Sequence, residues 1–158
     1  MQLFIERRKP AAHRWFDKTP QNIYGAALAA QEMRGARFVH IVRNPVNVVA
    51  SLRIGKVMKL EALSAACAYW NEAHFQIETL RRAYPKRVFQ VRYEDFVEEP
   101  VRHIGQIHEF VEEPFDAAHF KSLVTRGVSH IENSVLQPHE LQRVEKLCLA
   151  GRKTYGYL

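Results

Sequence analysis

Cysteine is scarce in this sequence, with only Cys67 and Cys148 among 158 residues, and this excludes a disulfide-framed scaffold. Both cysteines lie in helical patterns, so we expect buried free thiols and a cytoplasmic location. Apolar runs are far shorter than the ~18 residues that a membrane-spanning helix needs. The first residues also lack the basic-then-apolar order of a signal peptide. Histidines, cysteines and acidic residues show no metal-ligand spacing, and we therefore expect no metal site.

Glycine is also scarce, with seven in the chain and none among residues 1–14. The turn that cradles phosphate groups in P-loop proteins is rich in glycine, and its backbone N–H groups hold the anion. Neither residues 1–14 nor any later stretch carries a Walker A motif. The sequence therefore disfavours a P-loop transferase of another kind, such as a kinase.

The composition is that of one ordinary globular domain over residues 1–158, with 47% hydrophobic and 25% charged residues. The formal net charge of +6 raises the question of nucleic-acid binding. Basic residues are scattered, however, and no dense run with interleaved aromatic residues occurs, which disfavours that function. A positive field would also attract a polyanionic small molecule.

The pattern of apolar residues and turn signals predicts a helix-rich α/β fold, with residues 1–14 irregular. We expect strands at 38–42 and 88–92, joined by helices and therefore parallel in one sheet. Helices are predicted at 21–34, 45–54, 60–83, from Pro100 onwards, near 116–124 and at 138–151. In the long helix, Trp70 and Phe75 are among the residues predicted to face the core.

The most informative stretch is residues 38–52, in which an apolar strand ends on Arg43 and Asn44-Pro45 then begins a helix. In parallel sheets, ligands bind at the carboxyl ends of the strands. A guanidinium from Arg43 and a hydroxyl from Ser51, two turns into the helix, suit a phosphate group beside the positive helix N-terminus. The alternatives are an ordinary ion pair for Arg43 and a helix serine bonded to its own backbone for Ser51.

Four segments in this order resemble the sulfotransferases that use 3′-phosphoadenosine 5′-phosphosulfate (PAPS), chiefly their bacterial and carbohydrate-modifying members. They are Trp15–Pro20 (Trp-x-x-Lys-Thr-Pro), Arg43-Asn44-Pro45 with Ser51, Val91–Phe96, and Gly156-Tyr157. The resemblance implies a P-loop-NTPase-like parallel sheet flanked by helices. The family's N-terminal P-loop-like turn for the 5′-phosphosulfate has no counterpart here. We therefore expect a single, incomplete domain that represents the C-terminal portion of a sulfotransferase, truncated at its N-terminus.

The resemblance also implies roles for individual residues. Arg43 and Ser51 would bind the 3′-phosphate of PAPS, with Asn44 mainly as a helix cap. Lys18 would stabilise charge on the transferred sulfuryl group, and the alternative is a surface lysine before a helix capped by Thr19 and begun by Pro20. Further candidates are His13 as the general base, and the pair Arg152 and Lys153 as additional 3′-phosphate ligands.

The implied reaction is in-line transfer of a sulfuryl group from PAPS to an acceptor hydroxyl or amine, without a metal. The acceptor would be a small molecule or a carbohydrate, which the sequence does not name. The alternative is a non-catalytic nucleotide-binding or interaction module derived from a sulfotransferase. An exposed sheet edge would favour a homodimer or strand exchange.

Overall fold

The structure is a computed structural model that describes residues 14–55, 58–120 and 135–158. Its helices, in chain order, are α1 (Asn22–Glu32), α2 (Pro45–Ile54), α3 (Leu63–Ala83), α4 (Tyr93–Glu98), α5 (Pro100–Val111), α6 (Pro138–Leu147) and α7 (Leu149–Tyr155). Single 3₁₀ turns occur at Pro85–Arg87 and Ala117–Phe120. The prediction of irregular structure for residues 1–14 falls almost wholly outside the described residues.

Two parallel strands, β1 (Phe38–Val42) and β2 (Val88–Arg92), form the sheet within the described part of the chain. Their register runs from the pair Phe38 and Val88 to the pair Val42 and Arg92. Both strands have the predicted bounds, because each is a short β-branched or aromatic run between turn signals. The helix-rich α/β fold with a parallel sheet is therefore confirmed. Arg43 and Tyr93 follow the two strands at the same edge of the sheet.

The core lies between the sheet and helices α2, α3, α6 and α7. Its largest side chain is Trp70 in α3, which is 6% exposed. Phe75 is 67% exposed, so its predicted burial is wrong. At 100° per residue, Phe75 lies 140° around the helix from Trp70, whereas Ile77 returns to within 20° and is buried.

Arg87 links the end of α1 to the sheet by hydrogen bonds. The guanidinium of Arg87, just before β2, donates to the carbonyl oxygens of Ala30 at 2.8 Å, Met33 at 2.7 Å and Ala36 at 2.8 Å. These carbonyls belong to the end of α1 and the turn after it, where helical partners run out. A guanidinium with five donors is suited to closing such an end. The contact fixes the chain immediately before β1.

Two predicted helices differ in kind from the observed structure, and one observed helix was not predicted. The helix predicted at 138–151 is two helices that break at Cys148, whose backbone departs from helical geometry. The helix predicted near 116–124 is a 3₁₀ turn at Ala117–Phe120, and the rest of it lies outside the described residues. The short helix α4 was not predicted, because six residues are too few to show a helical period.

Helices α3 and α7 approach so closely at Gly151 that only glycine fits. A Cβ atom built on Gly151 would lie 2.5 Å from Cη2 of the buried Trp70. We expect Gly151→Ala to destabilise the protein by about 1–3 kcal/mol, because the indole is packed and has no room to move. Chemical denaturation followed by circular dichroism measures this change.

Gly25 provides the matched control, since it also lies inside a helix but a Cβ atom added there would meet no atom within 4 Å. Gly25→Ala should be neutral or stabilise the protein by up to about 1 kcal/mol. Equal effects of the two substitutions would contradict the close approach at Gly151.

Candidate functional site

The backbone around Arg43 is held by side chains from three other parts of the chain. The carbonyl of Val42 lies 3.2 Å from the hydroxyl of Tyr157. The carbonyl of Arg43 accepts a hydrogen bond from the indole N–H of Trp70 at 3.1 Å, and the N–H of Asn44 donates to Oε1 of Glu94 at 3.1 Å. The turn between β1 and α2 is therefore fixed on both sides of Arg43.

The guanidinium of Arg43 is half-buried and lies over the ring of Tyr93, with 4.7 Å between its central carbon and the ring centroid. Such stacking occupies the face of the guanidinium, whereas its N–H groups point along the edge of the plane. Asn44 caps α2, since its side-chain oxygen accepts the N–H of Val46 at 3.0 Å, and Pro45 occupies the first helical position. The predicted cap is confirmed. A cation beside a helix N-terminus forms an environment that favours anions.

Ser51 lies on the same face of α2 as Asn44, because seven residues bring the helix back to within about 20°. Its side chain is exposed, and the rise of the helix puts it about 10 Å along the axis from Asn44. Val48, between them on this face, is half-buried. The structure thus presents Asn44 and Ser51 on one accessible face, and contact of Ser51 with a ligand stays a prediction.

Lys18 is exposed in a segment without regular secondary structure. Helix α1 begins at Asn22 with Gln21 as its cap, so the predicted cap at Thr19 is wrong. The hydroxyl of Thr19 instead donates to Asp17 at 2.9 Å, and its carbonyl accepts the N–H of Asn22 at 3.0 Å. This turn takes the place of the first helical turn. His13 lies outside the described residues, so its role as general base stays a prediction.

The start of α1 lies towards the carboxyl end of the sheet. The hydroxyl of Tyr24 is 3.4 Å from Oε2 of Glu72 in α3, two residues from Trp70, which bonds the carbonyl of Arg43. Because Glu72 and Trp70 are only about 3 Å apart along the axis of α3, the start of α1 and Arg43 lie at a similar height along this helix. The closeness of Lys18 to a ligand stays a prediction.

The basic pair in α7 consists of a half-buried arginine and an exposed lysine. Arg152 donates to the carbonyl of Tyr157 at 3.0 Å and to the carboxylate of Glu145 at 3.1 Å, and 14% of its side chain is exposed. These bonds hold the turn after α7. Lys153 is exposed in the last turn of the same helix. Their predicted binding to a phosphate stays a prediction.

The sequence analysis missed Glu94 and Tyr157 as parts of this site. Tyr157 is 7% exposed, and its hydroxyl donates to Oε2 of Glu94 at 2.6 Å. Burial, with the neighbouring charge of Glu94, raises the pKa of Tyr157 well above its ordinary value, so the hydroxyl stays protonated near neutral pH. The Gly156-Tyr157 ending contributes to the family resemblance, but the contact of Tyr157 with Val42, more than a hundred positions earlier, leaves no periodic pattern in the sequence.

Within the described ranges, histidines, cysteines and acidic residues form no group that could hold a metal ion. None of the helices in those same ranges is long and apolar enough to cross a membrane.

Comparison with known proteins identifies the family of this chain. The model of the sulfotransferase family matches residues 1–117, which is most of the chain. The chain belongs to the sulfotransferase family. No curated protein matches it.

The fold of this sulfotransferase-family chain is similar to that of a solved sulfotransferase domain from the curacin biosynthetic pathway. The two superimpose with a TM-score of 0.60 over 92% of this chain, at 17% identity. The chain spans 66% of the length of that domain. At this identity the likeness concerns the fold, which is the helix-rich α/β architecture predicted from the sequence.

Proposed function

We propose that this chain binds the 3′-phosphate of 3′-phosphoadenosine 5′-phosphosulfate through Arg43 and takes part in transfer of the sulfuryl group to an acceptor hydroxyl or amine. The observation that carries the proposal is the half-buried guanidinium of Arg43, fixed at the carboxyl end of β1 beside the capped N-terminus of α2. Family membership supports sulfuryl transfer in general. The nucleotide, the small-molecule or carbohydrate acceptor and the individual roles of residues are our proposal.

The described residues fit one end of the nucleotide. A 3′-phosphate carries negative charge and acceptor oxygens, which suit the guanidinium of Arg43 and the hydroxyl of Ser51. Arg43 would bind the phosphate through the edge of its plane while its face remains stacked on Tyr93. Lys18 would act at the opposite end, where an ammonium stabilises negative charge on the sulfuryl oxygens.

In the proposed reaction the acceptor oxygen or nitrogen forms a bond to sulfur as the bond from sulfur to the bridging phosphate oxygen breaks. The electron pair of that bond leaves with 3′-phosphoadenosine 5′-phosphate, and the acceptor proton passes to a general base. His13 remains our candidate for this base. The chain's own contribution is to bind and orient, which supplies much of the rate in such in-line transfers.

A second function, nucleotide binding without catalysis, is favoured by one observation. Residues 1–14 contain no glycine and therefore no glycine-rich turn for the phosphosulfate. The 3′-phosphate site would then serve recognition alone. Two buried free thiols, Cys67 and Cys148, are consistent with the cytoplasmic location that we propose for either function.

Calorimetry and a transfer assay together test both functions. We expect the purified chain to bind 3′-phosphoadenosine 5′-phosphate at least about 100-fold more tightly than 5′-AMP, since the added phosphate gains charge-assisted hydrogen bonds. Incubation with ³⁵S-labelled PAPS and a panel of hydroxyl and amine acceptors then separates the two. Label in an acceptor indicates an enzyme, whereas binding without transfer indicates a recognition module.

Equal binding of the two nucleotides would contradict the proposed 3′-phosphate site.

The homodimer or strand exchange predicted from the sequence stays a prediction. On β1, Val39 is 40% exposed and Ile41 is 49% exposed on one face of the sheet.

A further inference from the structure

Val42, Arg43 and Asn44, at and after the end of β1, each have a backbone group that is hydrogen-bonded to a side chain from elsewhere in the chain. Two of these three bonds come from one pair of side chains, Tyr157 and Glu94. The hydroxyl of Tyr157 reaches the carbonyl of Val42 at 3.2 Å and Oε2 of Glu94 at 2.6 Å. Oε1 of the same carboxylate accepts the N–H of Asn44 at 3.1 Å. The pair therefore contacts the residue before Arg43 and the residue after it.

Tyr157 is itself held by two arginines. The guanidinium of Arg92 lies over the ring of Tyr157, 4.6 Å from its centroid, and it also approaches the carbonyl of Gly156 at 3.4 Å. Arg152 donates to the carbonyl of Tyr157 at 3.0 Å. Gly156 has a φ of 72°, a left-handed conformation that ends α7 and turns the chain inwards.

We infer that Tyr157 and Glu94 are positioning residues for the 3′-phosphate site, which hold the backbone of Arg43 so that its guanidinium meets the phosphate. This inference rests on the proposed function. Neither side chain needs to touch the nucleotide. They act through the main chain at Val42 and Asn44, and any loosening there moves the guanidinium relative to the helix N-terminus.

Tyr155 offers a matched control for Tyr157. Both are tyrosines near the end of α7, and they are 5% and 7% exposed. The hydroxyl of Tyr155 bonds to Nδ1 of His74 at 2.9 Å, on a different part of α3. Removing either hydroxyl takes a hydrogen bond from a half-buried partner, His74 or Glu94, so both substitutions should lower stability by similar amounts. Of the two tyrosines, Tyr157 is the one that contacts the turn carrying Arg43.

The test compares the Kd ratio of 5′-AMP to 3′-phosphoadenosine 5′-phosphate in Tyr157→Phe, Tyr155→Phe and the wild-type chain, by calorimetry. We expect Tyr157→Phe to lower this ratio about tenfold, through weaker binding of the 3′-phosphorylated nucleotide. Tyr155→Phe should leave the ratio unchanged. Melting temperatures of both variants, measured in parallel, show whether their losses of stability match.

A second pair of variants keeps the test valid if Tyr157→Phe folds poorly. Glu94→Gln retains an oxygen that can accept the N–H of Asn44 and should lower the ratio less than Glu94→Ala, which retains none. If Tyr157 and Glu94 had only a structural role, these substitutions would lower the melting temperature without changing the Kd ratio of the two nucleotides.

The outcomes distinguish failure of the proposed function from failure of the inference about Tyr157 and Glu94. A wild-type chain with no preference for the 3′-phosphate overturns the proposed function and this inference with it. A clear wild-type preference that survives both Tyr157→Phe and Glu94→Ala overturns the inference alone. Equal losses of preference in Tyr157→Phe and Tyr155→Phe also overturn it, because the effect would then be general.

Discussion

Replacement of Arg43 by alanine should weaken binding of 3′-phosphoadenosine 5′-phosphate about 100-fold and leave binding of 5′-AMP nearly unchanged. A 100-fold loss is about 2.7 kcal/mol, which is the size of one to two charge-assisted hydrogen bonds to the phosphate at roughly 1.5–3 kcal/mol each. The 3′-phosphate is the group that distinguishes the two nucleotides, so only its contribution should disappear. Calorimetry on the variant and the wild-type chain measures both affinities.

Two further substitutions sharpen this result. Arg43→Lys keeps the charge but loses the planar fork stacked on Tyr93, and it should restore only part of the affinity. Arg34→Ala changes the net charge by the same amount as Arg43→Ala. It lies at the opposite end of β1, roughly 17 Å away for a strand of this length, and should leave both affinities unchanged. Equal losses in Arg34→Ala and Arg43→Ala would point to general electrostatic attraction.

Replacement of Trp70 by alanine should lower the free energy of unfolding by about 3–5 kcal/mol, the range for truncation of a buried tryptophan. The indole is 6% exposed and packs against α7 at Gly151, and its N–H also bonds to the carbonyl of Arg43. A loss of this size removes a large share of the stability of an ordinary domain. Urea denaturation followed by far-ultraviolet circular dichroism measures it.

Phe75 in the same helix supplies the control, because it is also aromatic but 67% exposed. Phe75→Ala should change the unfolding free energy by no more than about 0.5 kcal/mol. Trp70→Phe separates packing from hydrogen bonding, since it keeps an aromatic ring but leaves the carbonyl of Arg43 without the indole donor. If Trp70→Ala and Phe75→Ala cost the same, the arrangement of α3 around the core is wrong.

The elements that the sequence predicts well are those with local physical causes. The bounds of β1 follow from a β-branched run, and the start of α2 follows from Asn44-Pro45, a cap and a first-turn proline. The position of Arg43 between β1 and the N-terminus of α2 was predictable for the same reason, because strand, turn and helix are contiguous in the chain, whereas its binding of phosphate stays a prediction. Family resemblance added the expected ligand.

What escaped prediction depends on contacts between distant residues. Phe75 is an apolar residue on the solvent-exposed face of α3. Only the packing of α3 against the rest of the molecule decides which face of this helix is buried. Glu94 and Tyr157 join the site through hydrogen bonds across 50 and 115 positions, respectively, to Asn44 and Val42. No periodicity in the sequence reports such a pairing.

The bond between Tyr157 and Val42 also bears on how the molecule is made. During synthesis, Val42 and Arg43 are added to the chain well before Tyr157, which follows Val42 by 115 positions. Contacts between residues so far apart form late, because the intervening chain must be ordered before the bond can contribute. The turn that carries Arg43 is therefore expected to be completed in stages. Trp70 and Glu94 can hold it first, and the bond from Tyr157 is added last, when α7 docks.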